Sequence, residues 1–180
     1  KEWLFASPQS EDQSAYYWTA PFAFIDHTTT TSYYATYINA DFVSKFSNTD
    51  VRNLFVASST ITNPADFRRY TTRKFKFNFG SDVPLIRTAE MILIDAEALA
   101  RTPGKEAEAH DLLYALQKNR DVNAVKSTNT GAALIDEILL ERRKELYAEN
   151  GVEWFDAKRL RKGITRTGNH RIFKNLSADD

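Results

Sequence analysis

The sequence predicts a mainly α fold that also carries a loop-rich, aromatic-rich segment and short strands. Three observations lead to it. Apolar residues recur at spacings of three and four from Leu85 to Leu160, which is the period of a helix face. Aromatic residues crowd into the other half of the chain: of 23, 18 lie in residues 1–84. No apolar run approaches the ~20 residues needed to cross a bilayer as a helix. At 180 residues a single domain is the default, since a chain of this size can bury about 70% of its unfolded surface around one core. Within it we distinguish an aromatic segment (1–84), a helical layer (85–163) and a basic tail (164–180).

The aromatic segment mixes Thr and Ser runs (Thr28 to Ser32, Ser58 to Thr60) with ring clusters, and its longest amphipathic helical stretch runs from Asn39 to Phe46. The helical layer is expected to open with a helix from Leu85. Leu85, Ile86, Ala89, Ile92, Leu93, Ala96, Leu99 and Ala100 share one face, while Met91, Ile94 and Ala98 occupy the other, so burial nearly all round is expected. Thr102-Pro103-Gly104 ends this helix, and Pro103 suits the first position of the next, where its missing N–H costs nothing. Ala109, Leu112, Leu113 and Leu116 form the second stripe. A polar linker from Asn123 to Thr130 leads to a third helix with Ile135, Ile138, Leu139 and Leu146 inward and Asn150-Gly151 as a left-handed C-cap. Trp154, Ala157 and Leu160 mark a short fourth helix closed by Gly163. Leu85 and Gly131, equivalent positions of the two helical pairs, are 46 residues apart, longer than the ~34 of a tetratricopeptide unit, so periodicity demonstrates no strict repeat.

Charge and composition exclude several functions. Lys plus Arg and Asp plus Glu both total 24, so no global field draws nucleic acid or an anionic membrane. The absence of cysteine removes disulfides and thiolate metal sites. His27, His110 and His170 are widely separated and lack partners at metal-ligand spacing, so neither a metal nor another cofactor is expected. Asp26-His27 in its Thr-rich loop reads as polar loop chemistry. There is no G-x-S-x-G elbow or phosphate-binding glycine loop.

Three constellations remain. Arg142 lies four residues from both Ile138 and Leu146, which places a guanidinium on the inward face of the third helix. Buried Arg needs carboxylates, and Glu145, Glu149 and Asp156 are available to form a structural ion network. A catalytic use of Glu141, Glu145 or Asp156 would need two carboxylates facing an open cleft, which nothing in the spacing provides, so no catalytic residue is assigned. Tyr16, Tyr17 and Trp18, and likewise Tyr33 and Tyr34, are adjacent rings that cannot all point inward. Exposed rings stack on the C–H faces of sugars or serve protein interfaces, and these five form the candidate ligand platform, with Trp18 the first choice. Core packing is the competing use of any single ring, and Phe55, Phe75 and Phe77 are assigned to it. The stretch 158–174 holds seven Lys or Arg and no Asp or Glu, which suits either an anion site or a solvated helix C-terminus.

Several spaced blocks stand out: Ile86-Arg87 before Ala89-Glu90; Asp95-Ala96-Glu97-Ala98-Leu99; the helix from Glu106-Ala107 to Asn119-Arg120; Glu141-Arg142-Arg143 with Glu145-Leu146, Glu149 and Gly151; and Trp154-Phe155-Asp156 with Arg159. In this order they resemble the SusD/RagB family of nutrient-binding outer-membrane lipoproteins. Weaker echoes are a short hydrophobic strand at Glu2 to Ala6 and a D-x-R element at Asp50 and Arg52. The resemblance covers about the first 163 residues and corresponds to the C-terminal portion of a family member, so the sequence reads as a fragment. It implies tetratricopeptide-like helical hairpins. It also implies non-catalytic binding of an oligosaccharide or similar nutrient at the cell surface, and delivery to a SusC-like TonB-dependent outer-membrane transporter. A membrane association would then come only from a lipid anchor outside these residues. A helical-repeat interaction scaffold and, behind it, a glycoside hydrolase are the alternatives.

Overall fold

The computed structural model describes residues 2–10, 12, 22–29, 32–78, 80–171 and 175–177. In chain order its elements are β1 (Trp3–Ser7), α1 (Phe22–Ile25), α2 (Ala40–Val43), β2 (Phe55–Ala57), β3 (Tyr70–Thr72), β4 (Val83–Arg87), α3 (Thr88–Ala100), α4 (Glu106–Arg120), α5 (Gly131–Leu146) and α6 (Val152–Arg159). The fold is mainly helical, and among the described residues no helix is long and apolar enough to cross a membrane. The chain forms two compact units interleaved in sequence. One contains residues 1–6, 47–52 and 84–156, the other residues 7–46, 53–83 and 157–180.

The first unit is built on α3, which packs against both α4 and α5. Ala89, Leu93, Ala96 and Ala100 make its buried stripe, and they meet Ala109, Leu113 and Leu116 of α4 and Leu134 and Ile138 of α5. Alanine at three of the four α3 positions lets the helices approach closely, and Leu93, Leu113, Leu134 and Ile138 fill the space between them completely. The opposite side of α3 is not buried as its composition suggests, since Met91, Ile94 and Ala98 are exposed. Only one stripe of a helix can face two neighbours on the same side. Leu85 and Ile86 are not helical either: they belong to β4, which pairs with β1, and the helix starts only at Thr88, whose N–H is bonded to the Glu2 carbonyl.

Helix ends also differ from expectation. α3 stops at Ala100, and Pro103 sits inside the turn, separated from Glu106 by Gly104 with φ +78°. A left-handed residue cannot continue into a right-handed helix, so Pro103 is not a first helical residue. α5 ends at Leu146, before Asn150 and Gly151; these two are left-handed (φ +46° and +70°), but they form the turn into α6 and do not cap α5. α6 carries no buried residue.

One stripe of α5 runs Leu134, Ile138, Glu141, Arg142, Glu145, Leu146, aliphatic at first and charged afterwards, all buried. The charged half is neutralised by side chains from other segments. Arg142 donates from Nε to Asp156 (2.8 Å) and from Nη2 to Glu90 of α3 (2.8 Å). Glu145 and Glu149 take other partners than the expected Arg142, because arginines from elsewhere in the unit reach them better. Glu145, 3% exposed, accepts from Arg52 (2.9 Å), Arg87 (3.0 Å) and Arg120 (2.8 Å), while Glu149 accepts from Arg87 Nε (2.8 Å). Arg87 also donates to the Glu145 carbonyl, one of the last carbonyls of α5 left without a helical partner. Arg52 grips Asp50 through two N–H donors (2.9 and 2.8 Å) and pairs with Glu141 (2.7 Å), and Lys144 reaches Asp50 as well (2.9 Å).

Burial alone would raise the Glu145 carboxyl, but the hydrogen bond from Arg120 and the charges of Arg120, Arg87 and Arg52 lower it from 4.5 to about 2. Burial likewise opposes ionisation of Asp50, and bonds from Arg52 and Lys144 outweigh it, bringing 3.8 down to about 2. Depressed carboxyls stabilise the fold above their unfolded pKa, and that stability disappears as pH falls through the folded value. The melting temperature should therefore be level above about pH 5 and fall steadily between about pH 4.5 and pH 2. A melting temperature that holds constant down to about pH 2 contradicts the assignment. Arg142→Ala should cost roughly 3 to 5 kcal/mol by leaving Glu90 and Asp156 short of their cation. Arg143→Ala loses an exposed pair with Glu153 and should cost about 0 to 1 kcal/mol. Equal, small shifts in parallel thermal melts would remove the case for a buried network at Arg142.

Candidate functional site

The second unit contains Tyr33 and Tyr34 of the candidate platform. Its centre is the antiparallel pair β2–β3, in register Phe55 with Thr72, Val56 with Thr71 and Ala57 with Tyr70. Asp26 and Ile38 add single bridges to the β3 edge, at Thr72 and Tyr70. Phe42, Phe46 and Phe55 pack edge to face at 4.9 to 6.1 Å, the arrangement ring quadrupoles favour. Asn39 caps α2, its Oδ1 accepting from the N–H of Asp41 (2.8 Å).

Asp26 fixes the loop that follows α1. It is fully buried, and its carboxylate accepts from the Thr28 N–H (2.7 Å), the Thr28 hydroxyl (2.7 Å), the Thr29 hydroxyl (2.6 Å) and the Phe77 N–H (2.7 Å). Burial would raise its pKa, but these bonds, that from Thr29 first, bring it from 3.8 to about 2. The residue is a loop anchor, and its four donors account for a carboxylate in a Thr-rich stretch. Among the described residues no three His, Asp or Glu side chains are grouped so as to hold a metal ion.

On this anchored loop the rings form a row. Tyr34, 38% exposed, lies 5.3 Å from the His27 ring; His27 lies 4.8 Å from Tyr37; and Tyr37 meets Phe67 edge-on at 5.6 Å. The row is held by polar contacts at its edges. Tyr34 Oη donates to the Thr29 carbonyl (2.8 Å), and His27 Nε2–H donates to the Thr36 carbonyl (2.8 Å). Tyr34 has φ +51°, a left-handed backbone that a bulky aromatic residue rarely adopts and that costs of order 1 to 3 kcal/mol. The surrounding bonds hold that conformation and present the ring to solvent.

Of the five rings expected to form the platform, Tyr16, Tyr17 and Trp18 lie outside the described residues. Tyr34 is in the row; Tyr33 points elsewhere, half-buried and stacked on Phe24 at 4.8 Å. The two neighbouring rings thus diverge, one packed on Phe24 and one facing solvent from left-handed backbone. His27, Tyr37 and Phe67 were not among the expected platform residues, because up to 40 residues separate them and no local pattern links them. Of the assigned core phenylalanines, Phe77 is buried, and Phe55 and Phe75 are half-buried beneath ring contacts.

Comparison with known proteins places this geometry in context. The sequence matches the SusD family over residues 14–177. A SusD-like carbohydrate-binding protein from Bacteroides vulgatus is 28% identical over 92% of this chain and 36% of its own, with a TM-score of 0.76. SusD superfamily proteins from Bacteroides thetaiotaomicron (24% identity, TM-score 0.79) and Bacteroides fragilis (22%, 0.72) share the fold over 99% of this chain and 44% and 41% of their own. The chain thus spans between a third and a half of these relatives' lengths. No curated protein matches it. With the match covering well over half of its residues, the chain belongs to the SusD family.

Proposed function

We propose that this chain is part of a cell-surface protein that binds an oligosaccharide or similar nutrient without cleaving it, and that the row from Tyr34 to Phe67 contributes to the binding face. The observation that carries the reading is the exposed Tyr34 ring, held on left-handed backbone at the head of a continuous run of rings. A sugar-stacking ring must keep one face open, and Tyr34 does so at an energetic cost that packing alone does not explain. The carbohydrate-binding relative from Bacteroides vulgatus supports the same class of ligand. Delivery of the ligand to a SusC-like TonB-dependent transporter, and attachment of the whole protein to the outer membrane by a lipid anchor, follow from the family and complete the proposal.

The carboxylates favour binding over hydrolysis. Glycosidases need one carboxyl kept protonated near neutral pH beside a second at a fixed separation. Glu145 is driven the other way, to about 2, Glu141 is paired with the half-buried Arg52 and Asp156 with the buried Arg142. They are committed to ion pairs within the helical unit.

Binding of a neutral and acidic glycan panel by the purified protein tests both halves. Tyr34→Ala should weaken binding by about 1 to 3 kcal/mol, the range seen for stacking on aromatic side chains. Tyr34→Gly should weaken it as much while leaving the melting temperature nearly unchanged, since glycine adopts φ +51° without strain. Trp18→Ala tests the part of the platform proposed from sequence. Reducing ends should not accumulate with any member of the panel. Steady turnover, or unaltered binding by both Tyr34 variants, would overturn the reading.

A further inference from the structure

The far end of the ring row carries a cation with no carboxylate partner among the described residues. Two arginines stand over Phe67, each with Cζ 5.6 Å from the ring centroid, Arg68 and Arg171. Arg68 is already neutralised: Asp66 accepts from its Nε (3.0 Å), its Nη2 (2.7 Å) and its backbone N–H (2.8 Å). Arg171 is exposed, and among the described residues no carboxylate pairs with it; its contact is the face of Phe67. Cation–π contact holds a guanidinium in place without satisfying its donors, which remain free for an anion.

The backbone that presents Arg171 is fixed. Asn169, buried two residues earlier, accepts from the Ala40 N–H (2.7 Å) and donates to the Asp66 carbonyl (2.8 Å), while Asn39 donates to the Thr167 carbonyl (2.8 Å). One turn is thereby tied to α2 and to the Asp66 loop that carries Phe67. The antiparallel bridge between Ile164 and Leu176 closes the segment around it. Of the other cations in the 158–174 stretch, Lys158 and Arg159 end α6 and Arg161 lies in the turn that follows it.

We propose that the ring row binds a carboxylate-bearing sugar, of the uronic acid type, with the pyranose faces on Tyr34 and Tyr37 and the carboxylate on Arg171. This rests on the carbohydrate-binding reading above and narrows it to an acidic ligand. The planar fork of arginine matches a carboxylate through two parallel N–H donors, and the adjacent rings exclude water from one side of the pair. His27 contributes at the middle of the row. Its Nε2–H is committed to Thr36, and Nδ1, which has no partner among the described residues, is free to meet a sugar hydroxyl.

Isothermal titration with galacturonic acid oligomers, their methyl esters, sulfated oligosaccharides and neutral glucose oligomers tests this. The methyl ester keeps the ring and removes the charge. Acid oligomers should bind at least about tenfold tighter than their esters at low salt, and the difference should shrink as salt screens it. Arg171→Gln should reduce acid affinity toward that of the ester, while its melting temperature matches the parent protein. Equal affinity for acid and ester would overturn the acidic specificity and leave sugar binding standing. A preference for acid that survives Arg171→Gln would overturn the role of Arg171. Tighter binding of sulfated than of carboxylated oligomers would replace the carboxylate by a sulfate ester. Absence of binding by every oligomer would overturn the carbohydrate reading itself, and this inference with it.

Discussion

The helical unit depends on one carboxylate. Glu145 sits on the inward stripe of α5 and receives Arg52, Arg87 and Arg120, which come from three different segments, and through Arg87 and Arg120 Glu2, just before β1, is joined as well. A buried carboxylate would be expensive by itself, and so would three arginines. With Glu141, Glu149 and Asp50 beside Glu145, and Lys144 beside the three arginines, four buried carboxylates face four cations and most of the arginine donors are used, so each removal is costly. The aliphatic layer formed by α3, α4 and the first half of α5 is non-directional and would accept many small shifts. The arginine forks are directional, and they set where α5 ends, where β4 lies and how the segment at 47–52 returns to the helices.

The division of labour along α5 follows from its sequence. Leu134 and Ile138 face the alanines of α3, where shape decides the fit; one turn later the same stripe carries Glu141, Arg142 and Glu145, where charge decides it. That the stripe turns inward was legible from Ile138, Arg142 and Leu146 at helical spacing. The partners were not. Arg52, Arg87 and Arg120 lie 93, 58 and 25 residues from Glu145, and helical periodicity carries no information at such separations. Their only signal was that each stood inside a block resembling the family. Leu85 and Ile86 show the limit on the local scale. A short apolar run fits a helix or a strand equally well, and pairing with β1, a tertiary event, selected the strand.

The second unit was legible in kind more than in detail. Adjacent rings at Tyr33 and Tyr34 could not share a core, and the structure sends them in different directions, one onto Phe24 and one to solvent. The neighbours that turn Tyr34 into part of a surface, His27, Tyr37 and Phe67, are gathered by the β3 edge and by Asp26, whose hydroxyl and amide donors come from Thr28, Thr29 and Phe77. A loop built around a buried, fully bonded carboxylate is rigid enough to hold strained backbone at Tyr34. Structural chemistry at Asp26 therefore holds in place the ring proposed for recognition, eight positions away.

Amide hydrogen exchange on Glu145→Gln tests the central claim most directly. The substitution keeps the shape of the side chain and removes its charge, so the three arginines keep their positions and lose their counter-ion. If Glu145 is the hub, backbone amides of α4 and α5 should lose protection corresponding to roughly 3 to 5 kcal/mol. Protection in those helices reduced by less than about 1 kcal/mol, the scale of an exposed ion pair, would contradict the account and leave the aliphatic layer as the main determinant of the unit.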